Sequence, residues 1–261
     1  MTGIIIQARM GSTRLPEKVM KDLSEKPSLW HTVERCRKSK KADIVIVATT
    51  TESADDKIAN FCEENRIACY RGSLKDVLDR FYETASKFKL TTIIRANSDC
   101  PLIDPETIDR CVEEFEKLGV DYISNVVPGE RTFPRGLDCE IFSFEALERA
   151  YRNAQEEFEH EHVTPYIWQN KKDEFNLGKI VIAPPELHRS EYRLCVDYPE
   201  DFEIIEIIYK KFNPKDGEII DIKEVVRFLD ENPDIVKINA DCEIKHDQHA
   251  PVNVIQKATK G

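Results

Sequence analysis

Short apolar runs alternate with amphipathic segments along the first 120 residues. Residues 3–8, 43–48 and 91–96 are rich in Ile, Val and Ala, a pattern typical of strands buried on both faces. Between these runs, apolar residues recur every three or four positions, which predicts amphipathic helices. The alternation of strands and helices predicts an α/β fold with a mostly parallel sheet.

The same pattern gives the bounds of each predicted element. The predicted strands are residues 3–8, 43–48, 67–70, 91–96, 120–124, 138–142, 179–183 and 192–196. The predicted helices are residues 28–38, 53–65, 74–88, 105–118, 144–155, 200–212 and 222–232. Two helix starts carry capping patterns, Ser53 with Asp56 and Asp104 before Pro105.

The simple alternation stops after residue 125. Residues 125–190 contain proline and glycine pairs among shorter strand and helix patterns. We interpret this segment as an insertion that covers an acceptor site and contributes to pairing of subunits. The rest of residues 1–240 is predicted to form one domain with it, and residues 241–261 an extended tail.

Charge is distributed unevenly along the 261 residues. The net charge is −11, yet residues 1–41 hold ten Lys or Arg and four acidic residues, a local charge of +6. Such a balance does not suit general nucleic-acid binding, and we expect no nucleic-acid partner. A local positive region on an acidic protein suits a small polyanion such as a nucleoside triphosphate.

The sequence lacks the patterns of a membrane or secreted protein. No apolar stretch approaches the roughly 20 residues needed to cross a bilayer. The aliphatic run at residues 4–6 is followed by Arg9 without a signal-peptide layout. The eight cysteines form no C-x-x-C pair, which favours buried thiols in a reducing compartment. We expect a cytoplasmic protein with no membrane partner.

A basic loop at residues 7–18 follows the first predicted strand directly. It has neither the G-K-[ST] of a Walker A loop nor the G-x-G-x-x-G of dinucleotide-binding folds. A turn at Gly11 and Ser12 can offer backbone N–H groups to phosphate oxygens. Arg9 can make forked contacts with phosphate, and Lys18 a point-charge contact. The loop predicts a polyphosphate site, with a basic surface loop as the alternative.

Two acidic residues, Asp99 and Asp197, each come directly after a predicted strand. The C-terminal ends of parallel strands meet at one edge of a sheet, so these distant carboxylates can come together. Two carboxylates with triphosphate oxygens and water suit Mg²⁺. The alternative roles are local: Asp99 as a turn residue, and Asp197 as the cap of a helix that starts at Pro199.

Six segments of the chain together resemble the cytidylyltransferases that activate acidic sugars, namely the CMP-acylneuraminate and CMP-KDO synthetases. The resemblance is greatest to their spore-coat polysaccharide biosynthesis F (SpsF) branch. The segments occur in family order between residue 4 and about residue 212. They are I-I-Q-A-R-M-G-S-T-R-L-P-x-K at 5–18, D-V-L-D-R-F-Y at 76–82, D-C-P-L-I-D at 99–104, F-P-R-G-L-D at 133–138, E-H-V-T-P-Y at 161–166 and V-D-Y-P-E-D-F at 196–202.

The resemblance implies a three-layer, Rossmann-like nucleotidyltransferase fold and transfer of CMP from CTP with release of pyrophosphate. It implies that Asp99 and Asp197 hold Mg²⁺ and that Arg9 and Lys18 are catalytic with them. Family members are often dimeric, so a homodimer is expected. Glu17 departs from the pattern, because many members have Gly at that position. Ser98 is a second departure of the same kind.

The resemblance also indicates which residues bind the nucleotide. Arg71 and neighbouring backbone groups are expected to recognise the cytosine ring. Arg80 is expected to contact the nucleotide, although Asp76 offers it an ordinary ion pair on the helix surface. The expected nucleotide-binding residues are Ala8, Arg9, Gly11, Ser12, Thr13, Arg14, Lys18, Thr49, Arg71, Gly72, Arg80 and Asn97.

A second set of residues, within the insertion, is expected to bind the acceptor. These candidates for contact with its hydroxyl groups and its carboxylate or phosphate are Arg135, Gly136, Asp138, Glu140 and His162. His162 also forms an H-x-H pair with His160. Because no third ligand is apparent, zinc is not expected.

The predicted function is a CTP-dependent cytidylyltransferase that acts on a small acidic, nonulosonate-like sugar in surface glycan synthesis. A phosphorylated acceptor that gives a CDP-linked product is the first alternative. A glycosyltransferase of related fold would need a D-x-D metal motif, which D-C-P at residues 99–101 does not supply. A nucleotide-binding protein without activity disagrees with the presence of all four residues Arg9, Lys18, Asp99 and Asp197.

Overall fold

The computed structural model describes residues 1–127, 130–215 and 217–242. Apart from its first two residues, the predicted tail at 241–261 lies outside this part of the chain. Over the described ranges, no helix combines the length and apolar character needed to cross a membrane.

A six-stranded sheet forms the centre of the fold. Its strands are β1 (Thr2–Gln7), β4 (Ile44–Thr50), β5 (Ala68–Gly72), β6 (Thr92–Asn97), β7 (Tyr122–Ser124) and β10 (Glu140–Ser143). They lie in the order β5-β4-β1-β6-β10-β7. The first four are parallel, and β10 pairs antiparallel with both β6 and β7. Two short hairpins lie outside the sheet, formed by β2 (Asp22–Leu23) with β3 (Lys26–Pro27), and by β8 (Val126–Val127) with β9 (Glu130–Arg131).

Helices cover both faces of the sheet. They are α1 (Ser28–Arg37), α2 (Asp56–Glu64), α3 (Val77–Lys87), α4 (Pro105–Leu118), α5 (Phe144–Asn153), α6 (Glu157–His162), α7 (Pro199–Phe212), α8 (Ile222–Glu231) and α9 (Pro233–Val236). The predicted cap of α4 is confirmed, because the Asp104 side chain accepts the N–H of Thr107.

Alternate residues of the central strands enter different cores. Ile4 and Ile6 pack with α1, α2 and α4 on one face, whereas Ile5 packs with α3 and α5 on the other. Both faces of β1 are therefore dry, which explains its unbroken aliphatic run. A third core joins α7 and α8 to the segment that follows β1. The predicted three-layer, mostly parallel α/β fold is confirmed.

Two predicted strands, 179–183 and 192–196, are wrong. Neither segment forms a strand of the sheet, although the Val181 N–H donates to the Ser124 carbonyl of β7 at 2.9 Å. The backbone of 192–196 pairs instead with residue 135 and, through the Val196 N–H, with the Asp99 carbonyl at 2.8 Å. The position next to β6 is occupied by the antiparallel strand β10. A run such as 192–196 can therefore be buried and extended without belonging to the sheet.

The predicted cap of α2 by Ser53 is also wrong. A short 3₁₀ turn covers Ser53–Asp55, and α2 begins at Asp56 without a side-chain cap. Asp55 is buried and uses its carboxylate elsewhere, on Met10 and Thr50. A capping pattern depends on neighbouring residues only, so it cannot show that Asp55 forms hydrogen bonds with a residue as distant in sequence as Met10.

Candidate active site

Asp55 fixes the start of the loop that follows β1. The N–H of Met10 donates to Asp55 Oδ1 at 2.7 Å, and the Thr50 hydroxyl donates to the other oxygen. Farther along, the N–H of Leu15 donates to the Ser12 hydroxyl at 3.3 Å. A Cβ on Gly11 would meet no atom within 4 Å. The loop is thus fixed at its start and has open space on the side of Gly11.

Glu17 has left-handed backbone geometry, with φ 55° and ψ 21°. This conformation costs a residue with a Cβ about 1–2 kcal/mol but is free of that penalty for Gly. The geometry therefore explains why glycine is common at this position in the proteins that the loop resembles. The Glu17 carboxylate points to the surface and pairs with Lys57 at 2.8 Å.

A cavity of about 750 Å³ opens beside this loop. It brings together residues from the loop, α3, the end of β6, α6 and the segment before α7. Among the predicted site residues, those that line it are Ala8, Arg9, Gly11, Ser12, Thr13, Arg14, Lys18, Arg80, Asp99, His162 and Asp197. Further lining residues that the sequence did not indicate include Leu74, Lys75, Val77, Glu157 and Glu161.

Lys18 joins the two predicted metal carboxylates. Its Nζ donates to Asp99 Oδ2 at 2.7 Å and to Asp197 Oδ1 at 2.9 Å. A third bond, to the Val196 carbonyl at 2.8 Å, completes the donors of the ammonium. The structure thus brings Asp99 and Asp197 together, although the strand expected before Asp197 is absent.

The charges of this cluster depend on one another. Burial alone would raise the pKa of Asp197, but the nearby Lys18 and Arg14 lower it to about 2. Burial would lower the pKa of Lys18, but Asp99 and Asp197 outweigh that effect and raise it above its ordinary value of 10.5. Asp197 and the Lys18 ammonium are therefore held in their charged forms.

Asp197 is positioned by two residues that the sequence did not indicate. Arg193 is buried and donates to Asp197 Oδ2 at 2.8 Å and to Asp201 Oδ1 at 2.8 Å. Asp201 Oδ2 accepts the backbone N–H groups of Asp197 and Tyr198. A signal was present, since Asp201 lies in the V-D-Y-P-E-D-F segment, but Arg193 lies inside an apolar run.

Arg14 and Arg80 place two more guanidinium groups at the cavity. Arg14 Nη2 donates to Asp197 Oδ1 at 2.8 Å, and its guanidinium lies over the Tyr198 ring, 5.1 Å from the centroid. Arg80 is 2% exposed and donates to the Ser73 carbonyl at 2.9 Å. Its Nε has no partner within the described residues.

The positive charge of Arg80 is destabilised by its surroundings. Burial, and then the neighbouring Arg9, lower the pKa of Arg80 to about 10. The ion pair with Asp76 considered above does not form within the described residues, because Asp76 caps α3 and contacts His160 at 2.8 Å. A buried cation beside a second cation favours an anion in the cavity.

The other predicted nucleotide-binding residues lie near the cavity but do not line it. Arg71 Nε donates to the Thr50 carbonyl at 2.9 Å, and its Nη1 pairs with Asp56 at 2.7 Å. A Cβ on Gly72 would lie only 3.2 Å from Arg80 Cγ. Thr49 Oγ1 and Asn97 Oδ1 of this set are buried and have no hydrogen-bond partner in the described chain.

Four of the five predicted acceptor-binding residues do not line the cavity either. The backbone of Arg135 pairs with residues 192 and 194, and Gly136 has φ 103° with Leu194 pressed against it. Asp138 pairs with Arg131. Glu140 lies in β10 and contacts Arg95 of β6 and Tyr122 of β7. His162 alone of this set reaches the cavity.

The carboxylates at Lys18 fit a divalent cation. Asp99 Oδ1 is not bound by Lys18 and, in the described chain, accepts only the Cys100 thiol at 3.5 Å. No group of three or more His, Cys, Asp or Glu side chains able to hold a metal occurs among the described residues. A cation here would therefore need phosphate or water oxygens to complete its shell, as Mg²⁺ usually does.

Several known proteins are similar to this chain in sequence and in structure. The family model described as Cytidylyltransferase matches residues 3–226. The spore coat polysaccharide biosynthesis protein SpsF of Bacillus subtilis is 34% identical over 238 residues, which are 88% of this chain and 94% of SpsF. The 3-deoxy-manno-octulosonate cytidylyltransferase of Anaeromyxobacter sp. is 34% identical over 117 residues, 44% of this chain and 47% of that enzyme.

A solved structure extends the similarity to three dimensions. The cytidylyltransferase from Leptospira borgpetersenii serovar Hardjo-bovis superposes with a TM-score of 0.79 at 32% sequence identity. The superposition covers 90% of this chain and 96% of that chain.

Proposed function

Since the chain belongs to the cytidylyltransferase family and is a nucleotidyltransferase, as its motifs predicted, we propose that it moves CMP from CTP onto a small acidic sugar and releases pyrophosphate. The observation that carries this proposal is the cluster of Lys18, Asp99 and Asp197 in the same cavity as the basic loop. A cavity of about 750 Å³ suits a nucleotide together with a small acceptor.

The residues of the loop hold the triphosphate. Gly11 and Ser12 offer backbone N–H groups, and Arg9 and Arg14 offer guanidinium groups that match phosphate geometry. Arg80 adds a buried positive charge whose Nε has no partner in the described chain, and an anion in the cavity would stabilise that charge. Phosphoryl and nucleotidyl transfers depend mainly on such positioning and charge stabilisation, without a covalent enzyme intermediate.

Mg²⁺ is the proposed cofactor. Asp99 and Asp197 would hold it with triphosphate oxygens, and when bound it would draw charge from the α-phosphate and the leaving pyrophosphate. In the free protein the Lys18 ammonium forms ion pairs with both of these carboxylates. With the nucleotide present, the same ammonium can turn to a phosphate oxygen.

The acceptor side of the cavity supports a sugar. Helix α6 contributes Glu157, Glu161 and His162, whose acceptor atoms suit hydroxyl groups. Lys75 also lines the cavity and can pair with a carboxylate. The relatives agree in kind, since SpsF acts in polysaccharide biosynthesis and the Anaeromyxobacter enzyme acts on 3-deoxy-manno-octulosonate, an acidic sugar. The acceptor is accordingly proposed to be a nonulosonate-like sugar acid used for surface glycans.

Pyrophosphate release tests this function. The protein is incubated with Mg²⁺, each of the four nucleoside triphosphates, and a panel of 3-deoxy-manno-octulosonate, N-acetylneuraminate and several sugar phosphates. We expect release with CTP and a sugar acid, and a loss of orders of magnitude in Asp99→Asn. Asp173→Asn, an exposed substitution, serves as the control. Release with sugar phosphates alone would instead indicate a CDP-linked product.

We also propose a homodimer with its interface in residues 125–190. Ile182 lies in this segment and, at 48%, is one of three large apolar side chains exposed in the described chain. Light scattering should give the mass of a dimer, and Ile182→Glu should give a monomer. A monomeric parent protein would remove this proposal.

A further inference from the structure

A strained turn connects α6 to the segment that follows it. Val163 has φ 72° and ψ −54°, and the N–H of Thr164 donates to the His162 carbonyl at 2.9 Å. These are the features of a γ-turn with positive φ, a rare conformation. It is especially unfavourable for a β-branched residue, and strain of this kind costs about 1–3 kcal/mol. Because Val163 is fully buried, the surrounding structure must impose the turn.

A buried polar network imposes it from the C-terminal side. The Thr164 hydroxyl donates to Glu140 Oε1 at 2.6 Å, and the Tyr122 hydroxyl donates to the same oxygen at 2.8 Å. Arg95 pairs with the other oxygen of Glu140. Trp168 Nε1 donates to the Thr164 hydroxyl at 3.2 Å. Residue 164 is therefore fixed to the central sheet, and the chain must bend sharply just before it.

The bend leaves His162 facing the cavity. Its side chain is 44% exposed and lines the same space as Lys18 and Asp99. No described residue forms a hydrogen bond with either ring nitrogen, and Glu161 Oε2 lies 4.0 Å from Nε2. By contrast, the ring of His160 contacts Asp76 at 2.8 Å. The strained turn thus presents an imidazole whose nitrogens are available to a ligand.

The other acidic and basic groups of the cavity are poorer proton acceptors. Asp99 and Asp197 are both bound to Lys18, and the pKa of Asp197 is about 2. Glu157 and Glu161 are exposed to solvent. Transfer of CMP to a hydroxyl group requires that the hydroxyl proton leave, and imidazole is the side chain best suited to take it near neutral pH.

We propose that His162 accepts the proton of the acceptor hydroxyl during nucleotidyl transfer, an inference that rests on the function proposed above. The acceptor O–H bond breaks, and its proton moves to a ring nitrogen of His162. The acceptor oxygen forms a bond to the α-phosphorus of CTP. The bond from that phosphorus to the β-phosphate bridging oxygen breaks, and its electron pair leaves with pyrophosphate. The imidazolium then returns its proton to solvent.

The surroundings of His162 favour the neutral form that this step needs. Burial lowers the pKa of His162 below its ordinary value of 6.5, and Arg95 lowers it as well. Glu161, which has a larger effect than Arg95, and Glu140 both raise it, but they do not outweigh burial. His162 is therefore neutral at pH 7 and able to accept a proton.

The proposed role of His162 also indicates which class of acceptor the enzyme uses. A phosphate acceptor is already ionised at neutral pH and needs no proton acceptor, whereas a sugar hydroxyl does. An available imidazole in the cavity therefore favours a hydroxyl over a phosphate as the attacking group.

The first test needs no knowledge of the acceptor. Imidazole Cε1–H signals are recorded by NMR from pH 5 to 8 with and without Mg²⁺ and CTP, and His162→Gln identifies the signal of His162. We expect it to titrate below 6.5, and to titrate at higher pH when CTP adds negative charge to the cavity. A signal that CTP leaves unchanged, although calorimetry shows CTP binding, would overturn the proposal. Absence of CTP binding would instead contradict the proposed function.

The second test measures single-turnover rates with 3-deoxy-manno-octulosonate. His162→Gln should lower the rate constant about 10²–10⁴-fold with little change in CTP affinity, because general acid–base catalysis contributes that much. The decline of the wild-type rate at acidic pH should disappear in the variant. His188→Gln, at an exposed histidine, should match the wild type.

An unchanged rate in His162→Gln would exclude His162 as the proton acceptor. If the wild type does not use this acid, the acceptor assignment fails and the NMR titration alone decides the role of His162.

Discussion

One carboxylate oxygen of Asp201 accepts the backbone N–H of Asp197 at 2.9 Å and so fixes the residue that pairs with Lys18. The same oxygen accepts the N–H of Tyr198 at 3.0 Å, and Arg193 binds both oxygens. Asp201 is fully buried in the first turn of α7. The start of this helix and the acidic side of the cavity therefore form one unit.

Replacing Asp201 with Asn should weaken this unit. Arg193 would lose a buried ionic partner, and breaking such a pair typically costs about 3–5 kcal/mol. We expect a lower free energy of unfolding and, at temperatures where the variant is folded, slower transfer because Asp197 is less well held. Urea unfolding and pyrophosphate release measure the two effects. Glu203→Gln, exposed on the same helix, is the control, and equal stability of both variants would contradict the role of Asp201.

Replacing Lys18 with Met should leave Asp99 and Asp197 without the cation between them. Their mutual repulsion should lower the melting temperature, and added Mg²⁺ should restore it more in the variant than in the wild type. Turnover with CTP should fall at least about 10²-fold, since a charge contact at the site is lost. Fluorimetric melting at several Mg²⁺ concentrations gives the first result, with Lys57→Met at the surface as the control. An equal Mg²⁺ effect on both proteins would argue against shared binding by the two acids.

Stability should depend on Asp197 at acidic pH. Its pKa of about 2 lies below the ordinary value of 3.8. A depressed folded-state pKa stabilises the protein above the unfolded-state value, and the contribution, roughly 2 kcal/mol here, is lost as pH falls through the folded-state value. The difference in unfolding free energy between the wild type and Asp197→Asn should therefore shrink from about pH 4 to pH 2. Urea unfolding across this range measures it, and a constant difference would contradict the assignment.

Replacing Arg80 with Met should separate binding from stability. Arg80 is buried, has a lowered pKa and keeps an unpaired Nε in the described structure. Removing the charge should leave the free energy of unfolding unchanged or higher, while KM for CTP rises about tenfold or more. Arg110→Met, at an exposed position of α4, is the matched control. A variant that loses stability and keeps its KM would show that Arg80 serves the fold alone.

The sequence predicts the fold well where burial is symmetrical. The strands at the centre of the sheet have apolar residues on both faces, so they appear as unbroken aliphatic runs between amphipathic helices. The segment 192–196 looks the same, because it is buried and extended, but the place beside β6 belongs to β10. The local hydrophobic pattern predicts which residues are buried, but it does not predict which strand a segment pairs with.

The candidate site could be predicted only in part for a related reason. Asp99 follows the end of β6 by two residues, and Lys18 belongs to the basic loop that follows β1, so both stand out from the apolar runs beside them. Arg193 and Asp201 lie inside a strand-like run and a helix, and their support of Asp197 is seen only in the hydrogen bonds that each makes with it, at 2.8 and 2.9 Å. His162 was predicted to bind the acceptor, but the turn that presents it to the cavity could not be predicted, since the φ of Val163 leaves no trace in the residues around it.

The hydrogen bond from Met10 to Asp55 has a consequence for the thermodynamics of nucleotide binding. It ties the start of the phosphate loop to a buried carboxylate 45 positions away in the chain. The loop therefore loses much of its conformational freedom when the protein folds, and less remains to be lost when a ligand arrives. Asp55 does not line the cavity, so replacing it removes no phosphate-binding side chain. The replacement should nevertheless make association with the nucleotide entropically less favourable, because the loop would be freer before binding.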